Sequence, residues 1–265
     1  MRAKLIGLVV FGGYSAVVCA DLGHGLAAFR AADYGLALTE LTQPAATGVA
    51  QAQYTLGLMY AKGWGTLADP ARAAEWYRRA ATQGYAKAEH NLGVMYRNGD
   101  GIEPDPLQAR QWFERAAKHG SAKSAHLLGL IYFRGEGVSR DYAASLAWWR
   151  RAFAGHEADA GYNLGVMYRR GLGVSQNLTT AMKYWRQAAS QGSLPSQNAL
   201  GMAYERGEGV KRDFVAALGW YDLAARNGLP VATQNAQLLA VRVTAEEQAQ
   251  ALDFATRHQS AKKPP

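Results

Sequence analysis

Between Ala52 and Lys62 the positions Ala52, Leu56, Met59 and Tyr60 fall at i, i+4, i+7 and i+8. That spacing places them on one face of an α-helix. Gly63 follows, where a left-handed C-terminal cap is wanted. Asp69-Pro70 then reads as an N-cap followed by proline at the first helical position. A second helix, from about Pro70 to Gln83, carries Ala73, Trp76, Tyr77 and Ala80 on its apolar face and stops at Gly84. Helix, short loop, helix and tight turn make an αα-hairpin, whose two faces predict one shared core.

The hairpin recurs every 36 residues. Leu-Gly stands at 56–57, 92–93, 128–129, 164–165 and 200–201, with a tyrosine after each at Tyr60, Tyr96, Tyr132, Tyr168 and Tyr204. Asp69, Asp105, Asp141, Asn177 and Asp213 hold the cap position. Aromatic pairs follow, led by Trp76, Trp112, Trp148, Tyr184 and Trp220. A glycine inside a helix costs roughly 1 kcal/mol relative to alanine, so its return at Gly57 and each equivalent predicts close approach by a neighbouring helix backbone. A period of this size means stacked units that cannot bury their apolar faces alone. Such stacks present open surfaces, which argues against an enclosed catalytic pocket.

The composite A-x-x-x-L-G-x-x-Y-x-x-G-x-G, then D-x-x-x-A-x-x-W-aromatic-x-x-A-A-x-x-G, resembles the Sel-one-like repeat (SLR) family, relatives of the tetratricopeptide repeats. It runs from Ala52 to Gly84 and through four more copies to Gly228. The departures are Ser124, Ser145 and Ser196 for alanine, Asn177 for aspartate, and Gly155-His156 in the third turn, where the other copies have one glycine. The resemblance implies an all-α fold, a right-handed α/α superhelical solenoid of helix-turn-helix repeats whose first helices line the concave wall. It also implies protein binding, often in the bacterial envelope, with regulatory, assembly or effector-immunity roles. Some secreted relatives cross-link their hairpins with disulfides, and β-lactam binding or hydrolysis is attributed to them. The single cysteine, Cys19, makes this chain a poor match to that group.

The register extends beyond the five copies. Asp33, Ala37 and Gly48 align with Asp69, Ala73 and Gly84, but Glu40 and Pro44 stand at the sites of Trp76 and Ala80. Residues 21–50 therefore read as a degenerate N-terminal capping half repeat ahead of the repeats at 51–230. Residues 231–258 read as C-terminal capping helices: a first-type helix to about Val243, then one opened by the capping box Thr244–Glu247. The tail, 259–265, is expected to be disordered. At the other end, Arg2 and Lys4 precede an apolar run from Leu5 to Val18, and Val18-Cys19-Ala20 has the form of a signal-peptidase site. Residues 1–20 are thus expected to be a signal peptide, leaving a periplasmic or secreted chain without cysteine and without a transmembrane anchor. Lipidation at Cys19 is disfavoured because Val18 precedes it.

Charge and chemistry narrow the function. The net charge of +8 becomes +6 without Arg2 and Lys4. Such a balance suits an acidic protein, anionic lipid or nucleic acid, and export argues against the last. Lys62, Arg134, Arg170 and Arg206 recur in register, interrupted by Asn98. They either complement helix C-terminal dipoles or form a recognition stripe. Away from the Leu56/Tyr60 face, the first helices present Tyr54/Leu58/Ala61, His90/Val94/Arg97, His126/Leu130/Phe133, Tyr162/Val166/Arg169 and Asn198/Met202/Glu205. The middle column is apolar in every copy; it is either the floor of a binding wall or packing required on two sides. Tyr54, His90, Val94, Arg97, His126, Leu130, Phe133, Tyr162, Arg169 and Arg170 are the candidate partner-binding residues.

His90 and His126 are equivalent, yet no His-Glu-x-x-His or cysteine pair accompanies them, so no metal is expected. Gly-x-Ser-x-Gly and phosphate-loop motifs are also missing, and the glycine pairs, such as Gly135/Gly137, are turn chemistry. No cofactor is expected. The expectation is a non-enzymatic adaptor binding an envelope protein through its concave face. The alternative is a β-lactam or cell-wall-fragment binder or hydrolase.

Overall fold

The computed structural model describes residues 13–259, with side chains from residue 22 onward. The first twelve residues of the expected leader and the tail from 260 lie outside the described residues; 13–20 belong to the first helix. The chain forms two compact units, divided between Ser121 and Ala122. The first contains α1 (Gly13–Arg30), α2 (Tyr34–Ala46), α3 (Ala50–Lys62), α4 (Pro70–Thr82), α5 (Ala86–Asn98) and α6 (Pro106–Lys118). The second contains α7 (Ala122–Arg134), α8 (Tyr142–Ala154), α9 (Ala158–Arg170), α10 (Leu178–Ser190), α11 (Leu194–Arg206), α12 (Phe214–Arg226), α13 (Pro230–Ala240) and α14 (Ala245–Gln259). Each unit is an all-α solenoid of paired helix-turn-helix repeats.

The loops are closed by the residues that repeat. The side chains of Asp69, Asp141 and Asn177 accept from the backbone N–H three residues on, at 2.8–2.9 Å. Their own N–H groups donate to the carbonyls of Tyr60, Tyr132 and Tyr168 at 2.8–2.9 Å, tying each cap to the helix before it. Gly63, at φ +70°, supplies the left-handed cap of α3.

The core corrects two expectations. The second aromatic of each pair is the one enclosed: Tyr77, Phe113, Trp149, Trp185 and Tyr221 are each no more than 3% exposed, whereas Trp76, Trp112 and Trp148 are half-buried. The helical glycines make room chiefly for these rings, although a Cβ on Gly93 would also meet the Ala109 backbone carbonyl at 3.2 Å. A Cβ on Gly57 would stand 2.6 Å from the Tyr77 ring, and one on Gly93 would stand 2.7 Å from Phe113. Gly129 and Gly165 lie even closer under Trp149 and Trp185. The open notch lets each indole N–H reach a first-helix carbonyl: Trp149 to His126 at 3.2 Å and Trp185 to Tyr162 at 3.1 Å.

Polar contacts join successive hairpins within a unit. Gln53 donates from Nε2 to the Ala45 carbonyl (3.0 Å), and Gln197 does the same to Ala189 (3.4 Å). At the equivalent place Glu89 cannot donate. Arg115 bridges instead, giving hydrogen bonds to Glu89 Oε1 at 3.2 Å and to the Ala81 carbonyl at 3.1 Å, while His119 Nδ1 meets Glu89 Oε2 at 2.7 Å. The fully buried carboxylate is therefore compensated on both oxygens. The C-terminal end breaks the hairpin rule: α14 packs on α12 and hardly touches α13. Thr244 and Glu247 cap α14 reciprocally, Glu247 accepting from the Thr244 N–H at 2.8 Å and donating its own N–H to Thr244 Oγ1 at 3.2 Å.

Candidate functional site

The candidate residues fall on first helices in both units. In the first unit Tyr54 lies on α3 and His90, Val94 and Arg97 on α5; all but the exposed Arg97 are half-buried. Tyr54 packs against Tyr77 and Tyr85 with ring centroids 5.9 and 5.2 Å apart. Burial pushes the pKa of all three phenols up, so they stay neutral donors. His90 stands 5.9 Å from the Phe113 ring.

In the second unit His126, Leu130 and Phe133 share α7, and Tyr162, Arg169 and Arg170 share α9. Phe133 leans on Tyr142 and Trp149, so part of its surface serves the core. Arg170 is exposed. His126 Nδ1 is buried without a hydrogen-bond partner among the described residues. Burial lowers the pKa of this imidazole, and the Glu157 and Asp159 carboxylates oppose that only in part.

The structure brings two of these residues, Tyr162 and Arg169, together around one small cavity of about 70 Å³. Its floor is Val166, Trp185, Ala199 and Met202, and Glu208 completes the edge. Arg169 Nη1 pairs with Glu208 Oε2 at 3.2 Å, which holds the guanidinium over the hollow. The middle column, Leu58, Val94, Leu130, Val166 and Met202, is half-buried throughout, consistent with partial use in packing. Trp185, Ala199 and Glu208 belong to the site but were not read from the sequence. Trp185 repeats as the second aromatic of its pair and so reads as core, and Glu208 lies in a glycine-paired loop 39 residues from its partner, a separation that is not the 36-residue period.

The hollow offers an apolar floor, a phenol edge and an ion pair, which suit recognition of a side chain. Among the described residues no three His, Cys, Asp or Glu side chains gather as a metal site. No described helix is long and apolar enough to cross a membrane.

These features define an all-α repeat protein with open helical surfaces. The Sel1 repeat matches at residues 50–85, 86–121, 122–155, 158–193 and 194–229, and the chain belongs to the Sel1 repeat family. It is similar to a Sel1 repeat protein from Oxalobacter formigenes of known structure: 31% identity over 89% of this chain and 99% of that one, TM-score 0.78. It also matches a protective antigen with an SLR fold from uropathogenic Escherichia coli: 24% identity, 94% and 70% coverage, TM-score 0.45. A third match is an immunity protein from Pseudomonas aeruginosa: 23% identity, 80% of each chain, TM-score 0.45. Among curated proteins none matches the chain.

Proposed function

We propose that this chain is a non-enzymatic adaptor of the bacterial cell envelope, exported on the leader 1–20, which binds a protein partner through its first helices. The observation that carries the reading is the hollow between Tyr162, Arg169 and Met202, an apolar floor with a cation held at its edge. Tyrosine and arginine around an apolar pocket are the residue types that dominate binding energy at protein interfaces. His126, Leu130 and Phe133 lie on another first helix of the same unit, and Tyr54, His90, Val94 and Arg97 hold equivalent repeat positions on the first helices of the first unit. The basic charge of the chain favours an acidic partner surface.

The test is affinity capture from envelope extract, comparing the parent chain with a His126→Ser/Arg169→Ala/Met202→Ser variant. Met202 and His126 are half-buried, so the variant's melt is measured first and the capture is run well below its melting temperature, where both chains are folded. A partner held by the parent and lost by the variant supports the adaptor reading. Equal capture by both would sink it.

A further inference from the structure

The third hairpin of the family repeat departs from its siblings at two positions, and both departures open onto one groove. Where the others have Ala81, Ala117, Ala189 and Ala225, it has Phe153. Where Gly84, Gly120, Gly192 and Gly228 turn the chain at positive φ, His156 does so at φ +66°. A side chain with a Cβ meets steric resistance in that conformation, and such strain concentrates at functional sites. The structure accommodates Phe153 specifically: a Cβ on Gly161 would come within 2.5 Å of its ring. Gln53, Glu89 and Gln197 hold the place of Gly161 in other repeats.

The groove lies between the second helices α8 and α10, with a volume of about 440 Å³. Arg150, Phe153, His156, Lys183, Tyr184 and Gln187 line it, and no carboxylate does. Arg150 is held in place, its Nη2 donating to the Tyr168 hydroxyl at 2.6 Å. Tyr184 stacks on Tyr168 at 5.6 Å and receives the edge of Phe153 at 5.8 Å. By register, the pairing of Arg150 with Lys183 corresponds to Arg78 with Gln111 and to Arg186 with Gly219. This groove is therefore lined by two cations, where the same pair of positions at those junctions supplies one.

We propose that this groove binds an acidic segment of a partner protein. Its carboxylates meet Arg150 and Lys183, a neighbouring apolar side chain packs on Tyr184 and Phe153, and Gln187 and His156 take main-chain groups. The volume is far larger than a simple anion needs and falls in the range of about 300–1,000 Å³ typical of ligand sites. The site is on second helices and stands on observations separate from those for the first-helix hollow.

A displayed library of random heptapeptides, selected on the parent chain, tests the assignment without knowledge of the partner. Sequences enriched in Asp and Glu beside an aromatic or aliphatic residue are expected. A fluorescein-labelled peptide from that pool should bind about tenfold more weakly to Lys183→Gln, the effect of losing about one charge contact. Lys183 is exposed, so this variant should melt like the parent. His156→Gly should raise the melting temperature, by relieving the backbone, and weaken the same peptide. Enrichment of neutral or basic sequences overturns the proposal. So does peptide affinity unchanged by both variants, or equal competition by free glutamate or inorganic phosphate, which would mark a simple anion site. The variants that test the first-helix hollow leave this groove intact, so the two readings fail separately.

Discussion

A single methyl group at residue 129 would collide with the indole of Trp149, and that exclusion decides which aromatic of the pair Trp148-Trp149 goes inside. The two residues are chemically identical and adjacent, so residue type alone could not rank them. The ranking comes from a notch on the facing helix. Trp149→Ala should therefore cost about 3–5 kcal/mol, as truncating an enclosed aromatic does, while Trp148→Ala should cost about 1–2 kcal/mol. Urea unfolding of both variants checks this, and equal losses would mean the notch does not select the ring. The period revealed the glycine and both aromatics, but their pairing is a three-dimensional fact. His126 shows the same limit: its position was legible, but its orphaned Nδ1 was not. Burial lowers its folded pKa, so its contribution to stability is present above the ordinary value of about 6.5 and is lost as pH falls through the lowered one. The parent should thus lose more stability than His126→Gln between about pH 7.5 and about pH 5, read as the shift in urea midpoint.

Helices α13 and α14 show how one or two residues redirect an element. In five first helices the notch glycine accepts a ring from its own hairpin partner, but in α13 the equivalent residue is Gln237. No notch is present there: Gln237 is exposed and lines an open cavity between α12, α13 and α14, and α14 does not fold back as a second helix. Gly219, at a position held by Glu75, Gln111, Ala147 and Lys183 in other second helices, opens a different notch on α12. Phe254 of α14 enters it, lying 5.4 Å from the Trp220 ring and stacked on His258 at 4.0 Å. The capping box made α14 legible as a helix, because capping is local chemistry. Its docking site was not legible, since it depends on a missing Cβ 35 residues upstream. Gly219→Ala should overpack this contact and cost about 1–3 kcal/mol. Hydrogen exchange should accelerate along α14 while α7 to α10 keep their protection; unchanged exchange in α14 would show that the Gly219 notch does not hold it.

At the scale of the whole molecule, a 36-residue period makes stability a sum of hairpins and of the contacts between neighbours. The fold class was legible because the period repeats every determinant of the hairpin: cap, notch, ring and turn. The candidate sites were less legible, because they combine residues that repeat with residues that differ between copies. The middle column of the first helices repeats, and the period alone leaves it open between packing and the floor of a binding wall. Phe153, His156 and Lys183 do not repeat, and nothing in the period says that they meet in space. Within the second unit this division has a measurable consequence. Trp149 belongs to the α7–α8 hairpin, and its loss should be felt there first, weakening with each hairpin along the stack. For Trp149→Ala, native-state hydrogen exchange should show the largest loss of protection in α7 and α8, a smaller one in α9 and α10, and little change in α12. A uniform loss from α7 to α14 would instead mean that neighbour contacts outweigh the hairpins' own stability, so that the unit opens as one cooperative block.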